Sequence, residues 1–302
     1  MADVAVVVGN YKGAEVLAEC LASLRDQTLP PRATFVVDAD STDASAAVAV
    51  AYGATLIATP NLGLGYLYNR GVEAAATEFV LLLNNDVALE RRCVELLAAE
   101  LVAAPARFAA DPTQLDWAGQ QVIHARTTLR RGSLLREFIP GLHLDSVVLA
   151  DRVRPTVCAN GAAMLVRRAM FLELGGFDET FFMEWEDLDL CWRAWLRGWS
   201  TVYVPAAIVR HRVGAVTTSS LAPRRRASAH HNLMRFALKC LPRAEAGRVL
   251  LGELLRLPAH PRAIATGGSR VAVELAEIVR LRRAQRPASA LLDRVLDDEG
   301  AA

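Results

Sequence analysis

Hydrophobic residues open the chain in an unbroken run, Val4 to Val8, and polar character returns only at Asn10. A short β-branched run of this kind reads as a strand buried on both faces. The period then changes: Leu17, Leu21 and Leu24 share one helical face, with Val16 and Cys20 beside them. The same alternation recurs three times. Residues 34–38 (TFVVD) lead to an Ala-rich helix near 44–52, and residues 55–58 (TLIA) to a Gly-rich loop and a helical stretch through 69–76. Residues 79–83 (FVLLL) lead to a helix over 90–103. Four strand-loop-helix units predict a Rossmann-like, mostly parallel central sheet flanked by helices, the α/β class.

Residues 105–156 show no clear period and are punctuated by Pro105, Pro112, Pro140 and Pro155. Long irregular segments in compact enzymes often line a variable substrate site. Beyond them, TVCANGAAMLVRR predicts a strand, Phe171 to Leu174 a short helix closed by Gly175 and Gly176, residues 186–196 a helix, and STVYV a strand. From Ala222 onward the pattern is helical, broken by Pro242, Pro258, Pro261 and Pro287. The expected division is therefore an α/β domain over 1–221 and a helical C-terminal extension over 222–302. No internal repeat is present, and no apolar run there reaches the length of a membrane span.

Polar residues interrupt the apolar runs where strands end. Asp38 closes the second strand, and Asn84, Asn85 and Asp86 close the fourth; in open α/β sheets, ligands bind beyond such carboxyl ends. An Asp there can instead cap the next helix, a reading that stays open for Asp38 and Asp43. For Asp86 it is weaker, because the next helix begins several residues later and Leu89 stands at the capping-box position. Asp86 with Asn84 offers hard oxygens suited to Mg²⁺ or Mn²⁺, in a site that a substrate diphosphate would have to complete.

A second cluster is denser. Glu184, Glu186, Asp187 and Asp189 crowd into six positions, a costly arrangement unless a helix N-terminus, a cation or a substrate relieves it. Asp189 and Arg193 can pair along the helix. Trp192, Trp195 and Trp199 follow helical spacing and read as core, whereas Trp185 lies outside that stripe and is the candidate for contacting a substrate ring.

With 302 residues, 53% of them apolar and 22% charged, the chain can bury a sizeable core. Its first residues contain no basic segment, and Val4 to Val8 is too short for a signal core. Five scattered cysteines without a C-x-x-C pair predict a reduced cytoplasmic protein with no structural zinc. The net charge of +1 hides an asymmetry: residues 224–286 hold 14 Lys or Arg against 4 Asp or Glu, leaving the remainder at −9. Such a stretch is either a surface for an anionic partner, such as the inner face of the cell membrane, or a basic tail folded back on an acidic domain. Without interleaved aromatics it does not suggest nucleic acid. Neither a G-x-S-x-G elbow nor a G-x-x-x-x-G-K-[ST] phosphate loop is present.

In order along the chain, VVVGNYKG, VVDADSTDAS, NLGLGYLYNRG, LLLNNDV, NGAAMLVRR, GGFDETFFMEWEDLDLCWR and YVPAAIVRH resemble the inverting glycosyltransferases of family 2, with the GT-A fold. The resemblance covers roughly the first 215 residues and is strongest to the rhamnosyltransferase-like branch that builds bacterial surface polysaccharides. It implies that Asp38 binds the nucleotide base, with Gly9 and Asn10 flanking it. Asn84, Asn85 and Asp86 match the metal motif, with Asp86 as metal carboxylate and His211 as a ligand of the metal or the diphosphate. Arg70, beside Asn69, would reach the diphosphate, and Gly161 and Ala162 would floor the donor site. Glu186 and Asp187 match the acidic pair, with Asp187 as general base and Trp185 near the acceptor. Two departures stand out: Asn84 replaces an acid, and Asp40 stands where relatives carry Asn or Gly, beside the base pocket.

The implied activity is inverting transfer of a sugar, L-rhamnose by branch resemblance, from a dTDP- or UDP-linked donor to a glycan or lipid-linked acceptor. Two other readings stay open: a catalytically inactive nucleotide-sugar-binding or scaffold protein, which Asn84 favours, and a nucleotidyltransferase. The intact acidic cluster speaks against a pure scaffold. Acceptor, linkage and assembly into a homo-oligomer are not encoded in any motif.

Overall fold

The computed structural model describes residues 2–130, 143–147, 152–214 and 222–285. In chain order its first half runs β1 (Val4–Asn10), α1 (Ala14–Arg25), β2 (Ala33–Ala39), α2 (Ser45–Ala51), β3 (Thr55–Thr59), α3 (Leu64–Ala74), β4 (Phe79–Asn84), β5 (Val87–Leu89) and α4 (Cys93–Ala103). Then come β6 (Arg107–Asp116), β7 (Val122–His124), β8 (Arg126–Arg130), β9 (His143–Val147), β10 (Arg154–Pro155) and β11 (Ala163–Arg167). The remainder is α5 (Arg168–Glu173), α6 (Glu186–Leu196), β12 (Ser200–His211), α7 (Ala222–Cys240), α8 (Arg243–Arg256) and α9 (Pro261–Ala284).

The main sheet has the order β10-β12-β6-β11-β4-β1-β2-β3. Strands β3, β2, β1 and β4 run parallel, β11 runs antiparallel between β4 and β6, and β12 pairs parallel with β6. The expected mostly parallel sheet is therefore present. Successive side chains of β1 feed two separate cores, as the two-residue strand period requires. Ala5 and Val7 join Leu82, Met164, Tyr68, Leu188 and Trp195 on one face. Val4, Val6 and Val8 join Leu81, Leu83, Leu17, Leu21 and Leu97 on the other. Trp192 and Trp195 are buried in the first of these cores, as their spacing predicted.

Strands β6 to β10 differ from the sequence expectation. The segment from 105 was read as irregular, yet β6 crosses the sheet and is buried from Phe108 to Gln114. Burial on both faces removes the alternation that marks a half-exposed strand, and Pro112 hides the rest. The pairing of β6 with β12 shifts register between Val204 and Ile208, so the sheet accommodates the irregularity as a bulge.

The expected boundary at 221 lies outside the described residues, but the helices after it share the domain's core. Leu233, Phe236 and Ala237 of α7, with Leu241 just after it, belong to the same apolar cluster as Val7 and Leu82. Two cations of the basic stretch are folded inward. Arg235 is fully buried and pairs with Asp178, Glu274 and Glu277. Lys239 reaches Asp178 at 2.6 Å and Asp189 at 2.5 Å. For these two residues the folded-back reading holds.

Removing one partner from a buried ionic cluster leaves uncompensated charge. Arg235→Met is expected to cost about 3–5 kcal/mol of unfolding free energy, measured by urea denaturation. A change below about 1 kcal/mol would show instead that this cluster does not tie α7 to the domain.

Candidate active site

Strand register alone gathers the first group of polar residues. Asn10 lies beside Asp38, and Gly9 is flanked by Val37 and Asn84, at the carboxyl edge of the parallel strands. Hydrogen bonds then fix them. Asn10 Nδ2 donates to Asp38 Oδ1 at 2.5 Å, and Asn85 Nδ2 donates to Asn10 Oδ1 at 2.6 Å. Asp38 also accepts from the Ser41 backbone N–H and hydroxyl, in a tight turn that puts Asp40 in the left-handed region at φ 57°. Capping falls to Asp43, which accepts from Ala14 N–H at the start of α1 and from Ser45 N–H at the start of α2. Gly13 is required by this packing, since a Cβ there would lie 1.9 Å from Asn85 Nδ2.

A pocket opens at this edge, lined by Gly9, Asn10, Asn61, Asn84, Asn85, Asp86 and Met183 among others. A larger cavity, about 580 Å³, lies between the turn after α5 and the C-terminal helices. Its cations are already engaged: Arg193 with Asp189, Lys239 with Asp178 and Asp189, and Arg197 with Glu173. The strand-end pocket has polar amides and Asp86 but no Lys, Arg or His in its lining, so an anionic ligand there would need a cation to accompany it.

Asp86 sits at the turn between β4 and β5, and β5 pairs with the end of β12, where His211 faces Val87. His211 Nε2 lies 3.3 Å from Asp86 Oδ1, while its Nδ1 is 3.0 Å from Gln114 Oε1. Despite that proximity Asp86 Oδ1 is buried and accepts no hydrogen bond, so the contact is an approach without bonding geometry. A buried carboxylate oxygen without a donor, next to an imidazole nitrogen, fits a shared divalent cation. Among the described residues no cluster of three or more His, Cys, Asp or Glu is placed to hold a metal, so a substrate would supply the remaining ligands.

Tyr68 joins this edge to the acidic cluster. Its buried hydroxyl is 2.9 Å from both Asn84 Oδ1 and Gly161 O. Burial, then the charges of Glu186 and Asp86, keeps the phenol neutral by raising its pKa well above 10.0. On the next residue pair, Gly161 N–H donates to Asp187 Oδ2 at 3.1 Å, and Leu188 N–H to Asp187 Oδ1 at 2.7 Å. A Cβ on Gly161 would meet only the Asp187 carboxylate, at 3.7 Å, so the missing side chain leaves room in front of that group.

Asp187 is aimed by an unusual backbone. Glu184 and Trp185 are both left-handed, at φ 71° and 72°, before α6 begins at Glu186. Non-glycine residues pay about 1–2 kcal/mol each in that region. Asn232 of α7 offsets this by donating its amide to Met183 O at 2.8 Å and Glu184 O at 2.7 Å. Trp185 packs on Phe236 of the same helix, ring centroids 6.0 Å apart. Half-buried against the core, the Trp185 ring braces the turn on this side.

Two other expected donor residues lie elsewhere. Asn69 is buried and holds the turn before Asp178, donating to Phe177 O and accepting from Phe177 N–H. Arg70 pairs with Glu73 and Glu179 and stacks over Tyr66. Neither lines the strand-end pocket, because both are committed to that turn.

Three residues were missed in the sequence. Asp111 on β6 is fully buried, accepts Asn160 N–H at 3.1 Å and lies 3.0 Å from His124 Nε2. Gln114, also on β6, orients His211. Burial opposes a charged His124, but the charge and hydrogen bond of Asp111, with the charge of Asp187, outweigh it and raise its pKa. The signal was the D-P-T-Q run inside an otherwise apolar strand.

Charge at the acid pair is unequal. Burial, then the neighbouring charge of Asp187, pushes Glu186 up to about 8, and its Oε2 is buried without a partner. Burial also raises Asp187, but the N–H bonds from Gly161 and Leu188 and the charge of His124 pull back. Of the two, Glu186 is the one that burial and its neighbour's charge dispose to hold a proton, while the N–H bonds on Asp187 favour its ionised form.

Solved structures define the class. The mannosyltransferase PcManGT from Pyrobaculum calidifontis, in complex with GDP-Man and Mn²⁺, matches with a TM-score of 0.56 and 18% identity, over 99% of this chain and 79% of that one. Such a likeness establishes the GT-A glycosyltransferase fold. The family described as glycosyltransferase like family 2 matches residues 2–229, and this chain belongs to it. The N-acetylglucosaminyl-diphospho-decaprenol L-rhamnosyltransferase of Mycobacterium tuberculosis is 31% identical over 255 residues, 76% of this chain and 82% of that protein. Rhamnosyltransferase WbbL of Escherichia coli is 29% identical over 153 residues, 48% of this chain and 56% of that protein.

The raised Glu186 has a measurable consequence. Its ordinary value is 4.5 and its folded value about 8, so folding favours the protonated form. The stability it contributes is complete below about pH 4.5 and is lost as pH rises through about 8. Glu186→Gln removes this titration. The melting temperature of the unmodified protein should fall relative to the variant from about pH 5 to about pH 9; parallel curves would show that Glu186 is already ionised in the fold.

Proposed function

We propose that this protein transfers L-rhamnose, with inversion, from dTDP-rhamnose to a lipid-linked glycan acceptor. The observation that carries the reading is the Asp187 carboxylate, held on Gly161 N–H beside the space left by that glycine and linked through Tyr68 to the strand-end pocket. Rhamnose and the lipid-linked acceptor are suggested by the relatives that carry those words in their names.

Inversion requires a hydroxyl to attack the anomeric carbon from the face opposite the departing nucleoside diphosphate. As the new bond forms, the hydroxyl loses its proton to Asp187, general-base help that contributes about 10²- to 10⁴-fold. Two backbone and near-backbone N–H groups hold that carboxylate in orientation. Glu186, protonated beside it, keeps a second negative charge from competing for the same proton. Asp38, fixed by Asn10 and Ser41, faces the nucleobase, and Gly9 lets the base approach the β1 backbone. Asp86 and His211 would hold Mg²⁺ or Mn²⁺, which when bound neutralises charge on the leaving diphosphate. Gly161 and Ala162, at the mouth of β11, leave the sugar room beside Asp187. Tyr68 holds Asn84 and Gly161 at a fixed spacing, so the donor and base halves of the site move as one.

With dTDP-rhamnose and a soluble analogue of the lipid acceptor, Asp187→Asn should lower kcat by about 10²- to 10⁴-fold while donor affinity by calorimetry is retained. The acid limb of the unmodified enzyme's pH profile should lie above the ordinary carboxylate value of 3.8 and vanish in the variant. Retained turnover removes Asp187 from the base role. Gly161→Ala separates site from scaffold: the fold accepts the methyl group at ordinary contact distance, so melting should be unchanged while transfer falls on the order of 10²-fold from misplacement of the sugar. Normal turnover in that variant would place the reacting sugar elsewhere.

A further inference from the structure

The C-terminal helices sort their charges by direction. Of the acids in this stretch, Glu253 is buried against His230 at 2.5 Å, and Glu274 and Glu277 bind Arg235, with Glu274 also reaching His231. Three of the four acids are thus paired with groups of α7, while Glu277 keeps 44% of its side chain exposed and Glu245 is half-buried. Arg243, Arg248, Arg262, Arg270, Arg280 and Arg283 remain exposed. The outward face of α8 and the turn into α9 is basic, although the whole chain is nearly neutral.

The same face carries uncovered apolar groups. Leu251, Leu254 and Leu255 are 50%, 61% and 51% exposed, and Leu257 follows at 36%. Spacing of three and four residues puts the first three on one side of α8. Arg243 and Arg248 occupy the same exposed side one and two turns earlier, and the turn Pro258 to Pro261, with Arg262 after it, is exposed throughout. The result is an apolar tip with a basic collar. Interfacial helices combine these features, burying leucines at the acyl boundary while arginines meet anionic headgroups. A second copy of this chain would bring one arginine collar against another, a like-charge contact that opposes pairing.

From this charge sorting we infer that the end of α8 and the α8–α9 turn form a docking surface for an anionic lipid bilayer. Leu251, Leu254, Leu255 and Leu257 enter the interface, and Arg248 and Arg262 lie on its headgroups. No described helix is long and apolar enough to cross a membrane, so the contact is peripheral. The surface stands apart from the proposed transfer reaction; a lipid-linked acceptor would give it a use.

The test uses the full chain and vesicles free of donor and acceptor, so its outcome is independent of catalysis. The protein should co-sediment with vesicles of phosphatidylcholine containing phosphatidylglycerol and not with phosphatidylcholine alone. Leu254→Glu with Leu255→Glu should weaken partitioning at least about tenfold, since both changes remove buried apolar area. Because both side chains are exposed, the variant's melting temperature should be unchanged. Arg248→Glu with Arg262→Glu should weaken binding to anionic vesicles and flatten its salt dependence. Partitioning unaffected by the leucine changes would overturn the inference. So would light scattering that shows a concentration-dependent dimer dissolved by those same changes, which would assign the leucines to a second copy.

Discussion

One side-chain amide, Asn232, holds the backbone on which the proposed base depends. Two successive left-handed residues, Glu184 and Trp185, turn the chain sharply into α6, and no glycine is present to make that turn easy. Left alone, such a turn would relax and rotate Asp187 away from Gly161. Asn232 satisfies the carbonyls of Met183 and Glu184 together, and Phe236 one turn later supports the Trp185 ring. Met183 also lines the strand-end pocket, so the same amide bears on both halves of the site. The C-terminal helices are thereby part of the catalytic scaffold rather than an accessory to it.

What keeps α7 in place is electrostatic. Asp178 and Asp189 lie on either side of the turn, and Lys239 bridges them from α7 while Arg235 reaches Asp178. Burial disfavours the ionised Asp178, yet Lys239 and Arg235 overcome it and hold its carboxyl well below the usual range. Asp189 also binds Arg193, which in turn donates to the carbonyls of Leu174 and Gly176. The acids between Asp178 and Asp189 thus divide into two groups. Asp178 and Asp189 are structural anchors, and Glu186 and Asp187 form no ion pair with that cluster.

Strands β1 and β4 were legible because they are unbroken apolar runs that end at polar residues, as Val4–Val8 and Phe79–Leu83 show. Helix α6 was legible for a different reason: its tryptophans keep a helical period whose buried face is wide. Strand β6 was not, since continuous burial and Pro112 erase any period, and with it went Asp111, Gln114 and, on β7, His124. The links from Asp38 through Asn10 to Asn85, and from Asn84 through Tyr68 and Gly161 to Asp187, join elements far apart in sequence, which periodicity does not encode. Asn69 and Arg70, which the motif resemblance assigned to the donor, have side chains that stabilise the turn at Phe177 to Glu179. Position in a motif fixes the neighbourhood and leaves the direction of the side chain to packing.

Asn84, a neutral amide beside Asp86, fits the charge balance of this region. Asp86, Asp111 and Asp187 approach the same region, and Tyr68 is influenced by Asp86, Glu186 and Asp187 at once. Another carboxylate at 84 would add negative charge beside Tyr68 and near Glu186, which burial and then the charge of Asp187 already push up to about 8. The amide instead accepts the Tyr68 hydroxyl without adding charge. Its neutrality lowers the attraction for a free cation, so a metal would depend more heavily on the diphosphate that arrives with the sugar. An Asn at this position is therefore consistent with an active transferase whose metal and donor bind together, and it does not by itself favour a scaffold.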